Sequence, residues 1–132
     1  MKNLYPLLLL ILSVTASADW VKIDSPVGAL SEKFIDVTTI RQTGPMNTMR
    51  RVWEVTNLHK GSANKVLSIK QYMEYDCKDR RSRVIEEHSF SEHYAQGENL
   101  TVDGRDIKPA SWSEITPASI NETLFNRLCP NG

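Results

Sequence analysis

Residues 65–77, KVLSIKQYMEYDC, alternate with a period of two and end on one of the chain's two cysteines. Leu67, Ile69, Met73, Tyr75 and Cys77 fall on one face, interrupted by Gln71, while Ser68, Lys70, Glu74 and Asp76 fall on the other. This is the pattern of a strand with one side packed and one side wet. Cys77 goes with the packed set. The second cysteine closes a segment of different period. In TPASINETLFNRLC (116–129), Ile120, Leu124 and Leu128 recur every four residues, with Phe125 and Cys129 alongside, as in the apolar stripe of a helix. Thr116 is the candidate N-cap and Pro117 the first helical residue. Glu122 near the start and Arg127 near the end suit the helix dipole, and Pro130, Asn131 and Gly132 end the segment. A bond between the two cysteines would pin a terminal helix against a sheet.

Whether that bond forms depends on the compartment. The first eighteen residues, MKNLYPLLLLILSVTASA, have the three parts of a secretory leader: Lys2, an apolar core over Leu7–Val14, and the small-x-small site Ala16-Ser17-Ala18. The apolar run is too short to cross a bilayer of about 30 Å as a helix. Cleavage after Ala18 leaves Asp19 at the mature N-terminus and a single domain over residues 19–132. Loss of Lys2 leaves fifteen basic against sixteen acidic residues, a formal charge of −1. No global basic field for nucleic acid remains, and no later stretch reads as a transmembrane segment. An even cysteine count in an exported chain predicts the disulfide Cys77–Cys129. With 51 residues between the sulfurs, closing that loop is worth about 4 kcal/mol in the chain-entropy model.

The rest of the chain reads mostly as β structure. KFIDVTTI (33–40) is rich in β-branched residues and predicts a strand, punctuated by TGPMN (43–47). TMRRVWEVTN (48–57) sets Met49, Trp53 and Val55 on one side and Arg50, Glu54 and Thr56 on the other. HKGSANK (59–65) is a polar connector, RSRVIEEHSF (81–90) a less regular strand, DGR (103–105) a turn and SWSEI (111–115) a short strand. The fold class is α+β: a single antiparallel sheet with a C-terminal helix tethered to it by the disulfide.

No constellation for catalysis stands out. There is no G-x-S-x-G, P-loop or Cys-x-x-Cys. A Cys77–His88 dyad would need the thiolate that a disulfide consumes. His88 and His93, with Glu86, Glu87 and Glu92 nearby, face opposite sides of a regular strand, and a metal site needs three or four ligands. No cofactor is expected. Lys78, Arg80, Arg81 and Arg83 form a basic cluster that would attract an acidic protein patch or a polyanion. Asp76, Asp79, Glu86 and Glu87 flank it, so a charge-balanced strand edge that deters aggregation is an equally good reading. Asn99-Leu100-Thr101 and Asn121-Glu122-Thr123 match the glycosylation acceptor pattern, which matters only in a eukaryotic secretory pathway.

Taken in order, Trp20, FIDVTTI, VWEV, LSIKQYMEYDC followed by RRSRV, Gly97, and WSEITPASINETLFNRLC resemble the surface-adhesin protein E family of bacterial exported proteins. The resemblance spans nearly the whole mature chain. It implies an antiparallel sheet with a C-terminal helix, the bridge matching Cys77 and Cys129. It further implies a non-catalytic protein-binding module for host extracellular proteins such as vitronectin, laminin or plasminogen, and a homodimer. The family's typical adhesin is a surface lipoprotein, whereas Asp19 stands here where a lipidated cysteine would be. The expected location is therefore periplasmic, secreted or cell-surface. A periplasmic inhibitor or envelope accessory protein is the alternative that keeps the fold without adhesion. A small metal- or cysteine-dependent hydrolase is the enzymatic alternative.

Overall fold

The alternating stretch ending at Cys77 does form a strand, and it lies at the centre of the sheet. The computed structural model describes residues 18–25, 29–59, 64–101 and 109–130. The leader, apart from Ala18, and the DGR turn lie outside them, as does most of the 59–65 connector. The strands are β1 (Trp20–Ile23), β2 (Ser31–Asp36), β3 (Arg41–Thr43), β4 (Met49–Leu58), β5 (Ser68–Asp76), β6 (Arg81–Phe90) and β7 (Ser113–Glu114), followed by the helix α1 (Ile120–Leu128). All pairings are antiparallel, in the order β1-β2-β4-β5-β6-β7, with β3 paired to the first part of β4. β2 and β3 thus share one edge of β4 in succession.

The β5–β6 turn is set by Asp76, whose Oδ1 accepts the backbone N–H groups of Lys78 at 3.1 Å and Asp79 at 3.2 Å. A short side-chain acceptor that ties up the next two amides is the usual chemistry of such a turn. Within the β5–β6 pair the register shifts once: Tyr72 faces Glu86, but Met73 faces Val84. Ile85 is the extra residue of a β-bulge.

α1 covers one face of the sheet. The core beneath it comprises Ile23, Ile35, Val52, Met73, Tyr75 and Ile115 from the sheet side, and Leu124, Phe125, Leu128 and Cys129 from the helix end. Met73, Tyr75 and Cys77 are therefore turned toward the helix, as the alternation predicts. The predicted bridge joins Cys77 to Cys129 with Cα atoms 5.5 Å apart. Cys77 N–H also bonds Thr48 O at 2.9 Å, so the bridge is fastened to β4 as well.

Two local expectations change. The strand predicted over 33–40 stops at Asp36, because Asp36 Oδ1 accepts from Thr38 N–H at 3.0 Å and folds Val37–Thr39 into a 3-10 turn. The helix is capped by Ser119, not Thr116. Ser119 Oγ accepts from Glu122 N–H at 3.2 Å, and Glu122 reaches back to Ala118 N–H at 3.3 Å, close to a capping box.

On β4 the predicted alternation holds. Met49, Trp53 and Val55 do share a side, but it faces away from α1. The helix side carries Val52 and, directly opposite Ile35, the buried Glu54. Burying a carboxylate is tolerated only with partners. The Tyr75 hydroxyl donates to Glu54 Oε2, and Lys33 Nζ lies 3.2 Å from Oε1 in an ion pair that misses hydrogen-bond alignment. Lys33 Nζ is also 3.5 Å from Asn121 Oδ1 on α1. Burial and the adjacent carboxylate hold the Tyr75 phenol well above its ordinary pKa, so it remains a neutral donor.

Candidate functional site

With α1 on one side, the opposite side of the sheet is the surface on which rigid strands present side chains outward. Cross-strand partners share a face, so the register orders this surface in rows. In one row, Arg51, Glu74 and Arg83 stand side by side on β4, β5 and β6. Glu74 is 1 % exposed. Its Oε2 accepts from Arg51 Nε at 2.7 Å, and its Oε1 accepts from Arg83 Nε at 2.9 Å, with Arg83 Nη2 at 2.7 Å. The hydrogen bond to Glu74 is the main reason the Arg51 guanidinium holds its proton more tightly than usual. Nearer the β5–β6 turn, Arg81 Nε donates to the buried Asp76 Oδ2 at 3.0 Å. Trp112 lies against both guanidinium groups, its ring centroid 4.5 Å from Arg81 and 4.3 Å from Arg83.

The neighbouring row is aromatic. Trp53 and Tyr72 are directly opposed and stacked, with centroids 4.9 Å apart and planes 23° apart. Lys70 Nζ sits 4.6 Å from the Trp53 centroid, a cation–π contact. The His88 ring is 6.3 Å from Trp53, and His88 Nε2 lies 2.6 Å from Glu86 Oε1. Trp53, Lys70, Tyr72 and His88 are all half-buried, their outer parts open to solvent. At the far end of the face the His93–Ala95 turn packs down, with Tyr94 edge-on to Phe34 at 5.1 Å.

The basic cluster picked out from sequence is divided by the fold. Arg81 and Arg83 belong to the open face just described. Arg80 turns toward the helix, 3.5 Å from Glu122 and 4.7 Å from the Phe125 ring centroid. Lys78 is exposed and has no ion pair among the described residues. The cluster is thus mostly matched by carboxylates, and Lys78 alone keeps a free charge.

The other candidates are not brought together. Cys77 is spent in the bridge, which removes the thiolate of a Cys77–His88 dyad. His93 Nε2 lies 2.9 Å from Leu58 O, away from the Glu86–His88 pair, and no metal-holding group of His, Cys, Asp or Glu occurs among the described residues. Asn99 Oδ1 accepts from Thr101 N–H at 3.0 Å. Among the described residues no helix is long and apolar enough to cross a membrane.

Trp53, Tyr72 and Trp112 were not among the residues singled out from sequence. Tyr72 carried a usable signal, a large aromatic on the wet side of an alternating strand. The Trp53–Tyr72 stack and the Trp112 contacts depend on register between separate segments.

The family model for surface-adhesin protein E matches residues 20–130. A search of curated proteins finds no match. Among solved structures, crystal form II of Haemophilus influenzae protein E superposes with a TM-score of 0.68 at 17 % identity, covering 89 % of this chain and 91 % of that one. A second Haemophilus influenzae protein E structure gives 0.67 at 17 % identity, covering 89 % and 88 %. Protein E from non-typeable Haemophilus influenzae gives 0.59 at 18 % identity, covering 87 % and 86 %. At these identities the structures establish a shared fold.

Proposed function

This chain belongs to the surface-adhesin protein E family, and from that premise we propose that it is an exported, non-catalytic protein-binding module that engages its partner through the sheet face opposite α1. The observation that carries the reading is the stacked Trp53–Tyr72 pair, half open on a rigid sheet and flanked by Lys70 and the Arg81–Trp112–Arg83 group. Binding energy at protein interfaces concentrates in Trp, Tyr and Arg side chains. Here those side chains are already ordered by strands and ion pairs, so little rotamer freedom is lost on binding. The paired arginines supply shape and donors to the rim, while Lys70 and Lys78 supply charge that an acidic partner patch would meet.

The partner class is host extracellular protein, with vitronectin, laminin and plasminogen as the first to test, and the module acts as a monomer or homodimer. Residues 1–18 direct export and are then removed, and the mature protein is delivered to the periplasm, the medium or the cell surface. Arg81, Arg83 and Lys78 border the contact, while Arg80 is turned toward α1.

The test is binding of folded protein to immobilised vitronectin, laminin and plasminogen. Trp53→Ala and Tyr72→Ala are expected to weaken binding by about 30-fold or more, as for a central anchor. Lys70→Gln and Lys78→Gln should chiefly slow association and flatten its salt dependence. Unchanged affinity in a folded Trp53→Ala variant would remove this face as the contact. Absence of binding by the wild type to all three proteins would favour the periplasmic inhibitor or accessory role over adhesion.

A further inference from the structure

The end of the sheet that carries the disulfide has a second surface feature, separate from the aromatic face. Met46 is 95 % exposed, at the tip of the Gly44–Asn47 turn that precedes β4. The turn is well fastened: Asn47 N–H bonds Gly44 O at 3.1 Å, and Thr48 N–H bonds Pro45 O at 3.2 Å. Gly44, at φ +76, is packed so closely that a Cβ would meet Met49 Cγ at 2.9 Å. Met46 itself has φ +55, a left-handed conformation that a methionine adopts only at a cost and that Asn or Gly would adopt readily. Its side chain makes no compensating packing. A large apolar group is thus held outward at a strained position.

The cations at this end of the sheet divide by whether a carboxylate matches them. Arg51, Arg80, Arg81 and Arg83 all have carboxylate partners, and the nearby Asp76 and Asp79 are engaged by Arg81. Arg50 instead folds under the tip, its Nη1 donating to Asn47 O at 2.6 Å, with no ion pair among the described residues. Lys78 is brought alongside by the bond from Cys77 N–H to Thr48 O, and is exposed and unmatched.

We propose that this tip is a docking point for an anionic lipid surface, with Met46 entering the headgroup region and Arg50 and Lys78 meeting the phosphates. A single projecting methionine with two cations beside it has neither the area nor the pocket that a protein partner needs. It does have what interfacial anchoring requires, an apolar group to bury and cations to meet negative charge. The inference does not depend on the protein-binding face, with which it shares only Lys78.

The test is co-sedimentation of the domain from Asp19 onward with vesicles of phosphatidylcholine alone or mixed with phosphatidylglycerol. Wild type is expected to bind the anionic vesicles, to ignore the neutral ones and to be released by salt. Met46→Asn, which suits the left-handed position and so keeps or raises the melting temperature, should lower partitioning about ten-fold. Lys78→Gln should lower it about five-fold. Trp53→Ala should leave it unchanged, which keeps this result distinct from the protein-binding one. The proposal is overturned by equal partitioning of wild type and Met46→Asn, by equal binding to neutral and anionic vesicles, or by no vesicle binding. Binding of the tip to a soluble acidic polypeptide without vesicle binding would likewise overturn it and identify a protein contact.

Discussion

Removing the bridge with Cys77→Ala/Cys129→Ala tests how far the fold depends on a single covalent tie. The two residues are 52 positions apart, so the bond removes a long loop from the unfolded ensemble, worth about 4 kcal/mol. A domain of this size has an unfolding entropy of about 0.24 kcal/mol/K near its midpoint, so the melting temperature should fall by about 15–20 °C. The loss is concentrated in one element. A nine-residue helix has little stability of its own in water, and without the bridge α1 is held mainly by the burial of Leu124, Phe125 and Leu128, with Lys33–Asn121 and Arg80–Glu122 as polar ties. Melts followed by circular dichroism on oxidised wild type, reduced wild type and the double alanine variant separate the two contributions. Reduction should reproduce most of the shift, because it removes the tie without altering side-chain volume. A shift of less than about 5 °C in both would mean that the unfolded chain is not constrained by this loop, and the entropic argument would fail.

Tyr75 predicts a feature at alkaline pH. Its folded pKa is raised, chiefly by burial and then by Glu54, so the native state holds a proton that the unfolded chain releases above its ordinary pKa of about 10. This contribution is fully present below that pH and is lost as pH rises, at up to about 1.4 kcal/mol per pH unit. Chemical denaturation of wild type should therefore show a steeper alkaline loss than Tyr75→Phe, and parallel curves would refute it. Arg83→Ala leaves the buried Glu74 with Arg51 alone and should destabilise by about 2 kcal/mol or more. The more exposed Arg80→Ala should change stability by less than about 1 kcal/mol. Equal effects of the two in urea titrations would contradict the distinction.

The elements legible in the sequence were those whose period ran undisturbed. β5 and α1 were visible because Met73, Tyr75 and Cys77 alternate cleanly and Leu124 and Leu128 repeat every turn, and the bridge followed from where those patterns end. β1 was not visible, since Trp20–Ile23 is only four residues long and becomes a strand by pairing with β2. The facing of β4 was hidden by Glu54, a charged residue whose burial is offset by Tyr75 and Lys33 from distant parts of the chain. Ser119 outcompeted Thr116 as cap because Glu122 stands three residues after it and bonds back. The basic cluster was plain in composition. Its division between a helix-facing Arg80 and an open-face Arg81–Arg83 pair was not, because the deciding partners Glu74, Trp112 and Glu122 lie in other elements.

The bulge at Ile85 changes which parity of β6 is displayed. Before it, odd-numbered residues look outward and present Arg81 and Arg83; after it, even-numbered residues do, presenting Glu86 and His88 beside Tyr72 and Lys70. An uninterrupted strand would instead show Ile85 and Glu87 and send Glu86 and His88 under the helix, into an apolar core with no partner for either. Setting Ile85 outside the ladder therefore keeps an arginine pair and a histidine–carboxylate pair on the same side of the sheet. Deleting Ile85 would straighten β6 and still leave Arg81, Arg83, Glu86 and His88 on the outer side, whereas drawing Ile85 into the ladder would transpose the second half of the strand that an incoming partner meets.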